Sequence, residues 1–353
     1  MPLVWDVPVH DSTRVRDARV AAERAAAATG LDADRTAAVS LVATELATNL
    51  VKHARGGQLL VELVPAPFPA DTPTPVLLVQ IAAIDHGPGI GDVPAALSDG
   101  FSTARSLGAG LGTCRRVADD FTLHSAPGRG TVALARIGTA AARGAGPAVT
   151  HELRAGGVNV PFGGAETSGD AWAWVRSGER ATLMLADGLG HGPQAARAST
   201  AAVEALHGCA HLTPAECLRQ LDTALRGTRG AAVAVAQVDS GAGLLRFAGI
   251  GNIGARLREG DTWRHLLSRP GIVGVHRPGT LREERLPWAA DRTLVLHSDG
   301  LPSRWTPPAG TELLSADPAV VAAVTLRDAG SAARPVRDDT AVAVLAPTPR
   351  DRG

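Results

Sequence analysis

At 353 residues, with 35 basic and 35 acidic side chains and a formal net charge of zero, the chain is long enough for two hydrophobic cores and carries no global field towards nucleic acid or an anionic membrane. Its cysteines, Cys114, Cys209 and Cys217, are too few and too scattered for a disulfide framework or a zinc site. With no signal-peptide pattern at the start and no run near the roughly 20 apolar residues that span a bilayer, they predict a reduced, cytoplasmic protein.

Two helical patterns open the chain, at residues 13–29 and 33–54, the second with Asp32 as N-cap. Val39, Leu41, Val42, Leu46, Leu50 and Val51 give the second helix a buried side, leaving Glu45, Asn49 and Lys52 together on a polar one. Strands are expected at 59–64 and 76–84, separated by a proline-rich surface loop at 65–75. A helix from Leu111 to Asp120 and a closing strand from Thr131 to Ile137 complete a first domain over 1–137. Residues 138–150, small, apolar and rich in glycine, read as a linker. The second domain, 151–348, carries strand patterns at 181–186, 231–238, 244–248, 255–258, 293–297 and 341–345. Helical patterns at 194–206, 214–226 and 318–326 lie between them, an order that suits two sheets with helices outside.

The first domain places Glu45-Leu46-Ala47-Thr48-Asn49 before Asp85-His86-Gly87-Pro88-Gly89 and Gly108-Ala109-Gly110-Leu111-Gly112. A nucleotide site needs a carboxylate near the phosphates, an oxygen ligand for Mg²⁺, a group that reads the base, and glycines that let backbone amides approach anionic oxygens. Glu45, Asn49, Asp85, the turn glycines Gly87 and Gly89, and the glycines Gly108, Gly110 and Gly112 before a helix answer those needs in that order. The series resembles the GHKL ATPase superfamily, and within it the RsbT-like anti-sigma and switch-protein serine kinases, over about residues 10–137. That resemblance implies that Glu45 activates a substrate hydroxyl and Asn49 binds Mg²⁺. It also implies that Thr131 helps to hold the adenine end and that residues 100–107 form a lid offering Arg105 to phosphate. His151-Glu152-Leu153-Arg154 looks like a histidine-kinase phosphoacceptor box, but it runs straight into Gly156-Gly157 with no helical hairpin around it, and we read it as coincidence.

The second domain carries Gly169-Asp170, Asp187-Gly188-Leu189-Gly190-His191-Gly192, Ser298-Asp299-Gly300 and Asp338-Asp339. Carboxylates without a histidine or cysteine cluster select hard cations, Mg²⁺ or Mn²⁺, and paired cations make water nucleophilic at neutral pH. The order resembles the SpoIIE-type branch of the PPM serine/threonine phosphatases, with an RsbX-like stretch at 187–199. The resemblance implies an αββα sandwich and two metals held by Asp170, Asp187, the Gly188 carbonyl, Asp299 and either Asp338 or Asp339. His191 is expected to shape the turn rather than to ligate. The acidic residue usual shortly after the Gly-Asp pair is missing here.

The sequence thus predicts an α/β (α+β) chain, a GHKL (Bergerat) sandwich followed by a PPM sandwich. The expected function is a bifunctional regulator of bacterial partner switching, using ATP and Mg²⁺ at one site and two Mn²⁺ or Mg²⁺ ions at the other. It would phosphorylate a STAS-type antagonist or scaffold and hydrolyse phosphoserine or phosphothreonine, with a sigma factor or its regulator as a further partner. The alternative is a phosphatase whose N-domain binds ATP and a partner without kinase activity. Nothing in the sequence specifies an oligomeric state.

Overall fold

The computed structural model describes residues 2–65, 77–97, 110–139, 153–330 and 338–349. They fall into two compact units, one over residues 3–139 and one from 153 onward. The proline-rich loop, the expected lid with Arg105, Gly108, most of the linker, and His151 with Glu152 lie outside the described residues.

In the first unit, β1 (Val4–Val9), β2 (Gly57–Pro65), β3 (Leu77–Ile84), β4 (Asp120–Ala126) and β5 (Gly130–Ile137) form one sheet in the order β1-β2-β3-β5-β4. Every pairing is antiparallel. Helices α1 (Arg14–Thr29) and α2 (Ala33–His53) share a core with it; Ala18, Ala21, Ala22, Ala25 and Ala26 line the buried side of α1, and side chains this small let backbones approach closely. Asp32 caps α2 as expected, its carboxylate accepting from Arg35 N at 2.8 Å. A short helix, α3 (Val93–Ala96), follows the Asp85 loop. The next, α4 (Leu111–Val117), ends three residues before the expected Asp120, because Asp120 opens β4, a strand that the sequence reading did not anticipate.

The second unit is a two-sheet sandwich. One sheet orders its strands β13-β10-β9-β8-β7, comprising β7 (Asp170–Ser177), β8 (Arg180–Gly188), β9 (Ala231–Asp239), β10 (Leu244–Ile250) and β13 (Glu284–Pro287). The other runs β12-β11-β14-β15-β6, comprising β6 (Leu153–Val160), β11 (Gly254–Glu259), β12 (Thr262–Leu266), β14 (Thr293–His297) and β15 (Thr340–Pro347). Helices α5 (Pro193–Cys209) and α6 (Pro214–Ala224) cover the first sheet. The short α7 (Thr311–Ser315) leads into α8 (Pro318–Ala329), which covers β6 and β15 of the second. This is the αββα layering expected from the resemblance. Leu153 and Arg154, the two described residues of the 151–154 box, begin strand β6.

One expectation is corrected. Cys209 ends α5, Cys217 lies in the first turns of α6, and the turn between the helices brings their Cα atoms to 5.2 Å, where they form a disulfide. A separation of eight residues looks open in sequence but closes when two helices pack as a hairpin. Cys114 is a buried free thiol, and burial, reinforced by the charge of Glu45, pushes it up to about 12. Its thiol therefore stays protonated until well above pH 9. We expect iodoacetamide near pH 8 to leave the native protein unlabelled, to add one adduct after denaturation without reductant, and to add three after reduction, as read by intact mass.

Candidate functional site

In the first unit a cavity of about 400 Å³ opens between α2, the Asp85–Asp92 loop and the start of α4. Asp85 is buried at its floor, one residue past β3. Its Oδ1 accepts the backbone N–H of Gly87 at 2.7 Å and of Thr131 at 3.1 Å, while its own N–H donates to the Thr131 carbonyl at 2.9 Å. The carboxylate is therefore aimed by its own loop and by strand β5 at once, as recognition of a hydrogen-bond donor such as an amino group requires. Gly89 takes φ +74°, and a Cβ there would collide with the Ala126 carbonyl, so the loop can lie against the β4–β5 hairpin only with glycine at this position.

Asn49 lines the cavity from α2, and Asp85, Gly89, Gly110 and Thr131 line it from other segments. Gly110 is the N-cap of α4, whereas Gly112 lies buried inside that helix and does not line the cavity. Glu45 does not line it either. It is half-buried one turn before Asn49, close enough to Cys114 on α4 to raise that thiol, and its own carboxyl is pushed above the usual range by burial, with Lys52 partly offsetting the effect. Ser125, which belongs to none of the sequence motifs, joins the site: its hydroxyl accepts the Ile90 N–H at 2.8 Å, donates to the Gly130 carbonyl at 3.1 Å and lies 2.8 Å from the Thr131 hydroxyl. Ser125 thereby ties the Asp85 loop to Thr131. Its only sequence signal is a hydroxyl on an edge strand.

In the second unit the strand register gathers the acids. Asp170 and Asp187 are cross-strand partners at the open end of the β7–β8 hairpin. Asp299 follows β14, and Asp338 precedes β15, which runs antiparallel to β14. All four lie at one end of the sandwich. Gly188 closes β8, where an added Cβ would collide with the Ala195 carbonyl, so glycine lets the first turn of α5 approach. Its N–H donates to the Gly169 carbonyl at 3.0 Å.

The electrostatics are unfavourable without a counter-charge. Asp170 is fully buried, and neither of its carboxylate oxygens has a hydrogen-bond partner among the described residues. Burial, then Asp187, Asp339 and Asp299, hold its carboxyl well above the usual range, with nearby Ser298 opposing. Asp187 is pushed up to about 7 by burial and by Asp299, Asp338 and Asp339. Like charges about 4 Å apart repel by about 4 kcal/mol at an effective dielectric of about 20, and a bound cation reverses that sign.

Among the described residues no three His, Cys, Asp or Glu side chains already converge as a metal cage. The set nonetheless fits hard cations by its all-oxygen chemistry and by the orphaned oxygens of Asp170. The adjacent pair separates clearly. Asp339 is buried, with Oδ1 accepting from Phe162 N and Oδ2 from Gly169 N, both at 2.8 Å, whereas Asp338 is exposed. Asn252, which the sequence reading missed, donates to Asp299 Oδ2 at 2.6 Å. His191 stands beside Phe162, ring centroids 6.0 Å apart.

Residues 9–136 match the histidine kinase-like ATPase domain family, and residues 177–347 match the stage II sporulation protein E (SpoIIE) family. The chain joins a GHKL-type ATPase domain to a SpoIIE-type PPM domain. The serine/threonine-protein kinase RsbT of Bacillus subtilis (strain 168) is 41% identical over 95 residues, 27% of this chain and 66% of RsbT, so the match spans slightly less than two thirds of that relative. A solved chain from the bacterial stressosome, described as a modular system adapted to control secondary messenger signaling, is 28% identical and superposes with a TM-score of 0.48 over 55% of this chain and 98% of its own. RsbX in complex with magnesium is 17% identical, with a TM-score of 0.47 over 56% and 96% of the two chains. The PP2C phosphatase domain of SpoIIE from Bacillus subtilis, with a fragment of its regulatory domain, is 14% identical, with a TM-score of 0.48 over 77% and 79%. The SpoIIE match takes in Asp187, Gly188, Asp299, Asp338 and Asp339, and Asp170 precedes it. No described helix is long and apolar enough to cross a membrane.

Two outcomes follow for the SpoIIE domain. Asp339→Ala removes two charge-assisted bonds and should cost about 2–4 kcal/mol in urea unfolding of the metal-free protein, whereas Asp338→Ala should leave that stability within about 0.5 kcal/mol. Because the folded value of Asp187 lies above the ordinary 3.8, its contribution to metal-free stability is complete below about pH 4 and lost as pH rises through about 7. The melting-temperature gain on adding Mn²⁺ should therefore be larger near pH 7.5 than near pH 5.5, and Asp187→Asn should flatten that difference.

Proposed function

We propose that the chain is a bifunctional regulator of partner switching, with an ATP-dependent protein-serine/threonine kinase over 1–137, a linker over 138–150 and a metal-dependent serine/threonine phosphatase over 151–348. The observation that carries the phosphatase half is buried Asp170, its carboxylate oxygens orphaned, facing half-buried Asp187 across the hairpin and crowded by further acids at the same end of the sandwich. Asp170, Asp187, the Gly188 carbonyl, Asp299 and Asp338 would hold two Mn²⁺ or Mg²⁺ ions. We assign Asp339 to anchoring residues 162 and 169 rather than to ligation. When bound, such ions supply a nucleophilic water and neutralise phosphoryl oxygens. The chain's part is to gather the acids at one end of the sandwich, where burial and mutual repulsion favour their neutral forms until cations supply the counter-charge.

In the kinase half, Asp85 would accept from the adenine amino group, with Thr131 beside it, and Asn49 would offer its amide oxygen to Mg²⁺. Glu45, its carboxyl raised by partial burial, would take the proton of a substrate hydroxyl. The relatedness to RsbT, at 41% identity, supports a STAS-type antagonist or scaffold as the acceptor, with a sigma factor or its regulator further along the pathway. One observation favours a second reading: Glu45 stands outside the cavity lining, on the side of α4. An N-domain that binds ATP and grips its partner without transferring phosphate would share that geometry.

The purified chain should be assayed with a STAS protein from the same genome, following serine phosphorylation with ATP and dephosphorylation with Mn²⁺. We expect Glu45→Ala to reduce the first rate at least about 100-fold and Asp187→Ala to reduce the second at least about 100-fold, each leaving the other intact. Phosphate removal without phosphate transfer in the wild type would select the binding-module reading. Full phosphatase activity in Asp187→Ala would overturn the metal site.

A further inference from the structure

A partly buried aromatic and cationic cluster stands behind one of the carboxylates. His297 ends β14, two residues before Asp299. Its Nδ1 lies 2.9 Å from the Ser298 carbonyl oxygen, and its Nε2 lies 3.2 Å from Nε1 of Trp305. An indole N–H can only donate, so Nε2 must accept; the ring proton then sits on Nδ1 and donates to the Ser298 carbonyl. A single neutral tautomer satisfies both contacts.

The ring is braced by Trp305 and by the backbone of β11. Trp305 meets it edge-on, centroids 5.0 Å apart at 82°, and the Arg256 guanidinium stacks over the Trp305 ring 4.5 Å from its centroid. Gly254 of β11 is the cross-strand partner of His297, and a Cβ there would collide with the imidazole, so the ring occupies the space that a side chain would otherwise fill.

The bond to Ser298 is the one that matters for chemistry. The N–H of Ser298 donates to the Ala341 carbonyl at 3.1 Å, and its hydroxyl accepts the Ala341 N–H at 2.9 Å. Its carbonyl belongs to the peptide that leads into Asp299, and His297 holds it. At the other end of Asp299, Asn252 fixes Oδ2.

We propose that His297, locked by Trp305, Arg256 and Gly254, is a positioning residue that fixes the Ser298–Asp299 peptide and so presents the Asp299 carboxylate to metal. This rests on the phosphatase reading above. Loss of such an outer contact typically weakens metal affinity 10–100-fold.

The test is Mn²⁺ titration of the full chain by calorimetry, which needs no turnover, alongside hydrolysis of para-nitrophenyl phosphate at saturating Mn²⁺ and melting of the metal-free protein. The variants are His297→Leu, His297→Asn, Gly254→Ala and, as control, Asp299→Asn. We expect His297→Leu and Gly254→Ala to weaken Mn²⁺ binding at least about 10-fold, with kcat at saturation within about two-fold of wild type. His297→Asn, which keeps a donor near the Nδ1 position, should recover most of the affinity. Wild-type Mn²⁺ affinity in both His297→Leu and Gly254→Ala would overturn the proposal, as would weakened binding that tracks lost melting temperature in every variant with no recovery in His297→Asn. Absence of Mn²⁺ binding in the wild type would overturn the phosphatase reading, and this proposal with it.

Discussion

The second domain is organised around mutual repulsion among carboxylates. Asp170 and Asp187 face each other across a hairpin, with Asp299 and Asp339 close enough to raise both and Asp338 close enough to raise Asp187. A fold that only needed stability would replace buried acids with apolar side chains of similar volume, since burying an unpaired charge is among the costliest things a core can do. Their placement where β7, β8, β14 and β15 begin or end makes sense when a counter-charge arrives from outside the chain. The closely fitted glycines on the same side, Gly188 under α5 above all, bring backbone near those acids without adding bulk.

The first domain solves the opposite problem, that of holding a single carboxylate in place for a ligand. Asp85 is fixed by Gly87 and Thr131, Thr131 lies against Ser125, and Ser125 receives the N–H of Ile90. This closed circuit ties a loop that could otherwise wander to a hairpin that cannot, and it leaves a cavity whose walls are mostly apolar, with a few polar groups aimed inward.

The motif positions were legible in the sequence because glycine and aspartate at strand ends are local signals. The helices were legible through their apolar period. Several strands were not. β6 contains Gly156-Gly157, which argues against a strand until the close approach of Ala319 N, 2.6 Å from where a Cβ of Gly156 would sit, explains why no side chain fits. β4 is an edge strand of half-exposed residues with no alternation to read. The choice between Asp338 and Asp339 was equally hidden, because neighbours in extended chain point to opposite sides and the sequence does not say which side is inward. Ser125, Asn252 and the Cys209–Cys217 bridge depend on contacts between segments that no local pattern records.

The acids are shared between the two halves of the sandwich: Asp170 and Asp187 belong to one sheet, Asp299 and Asp338 to the ends of the other. Packed sheets resist compression better than sliding, and Asp339 acts as a rivet across that plane, gripping residue 162 after β6 and residue 169 before β7. The spacing of the acids is therefore a readout of how the two plates are aligned. A small shear between the sheets would change that spacing while every strand and helix stayed intact.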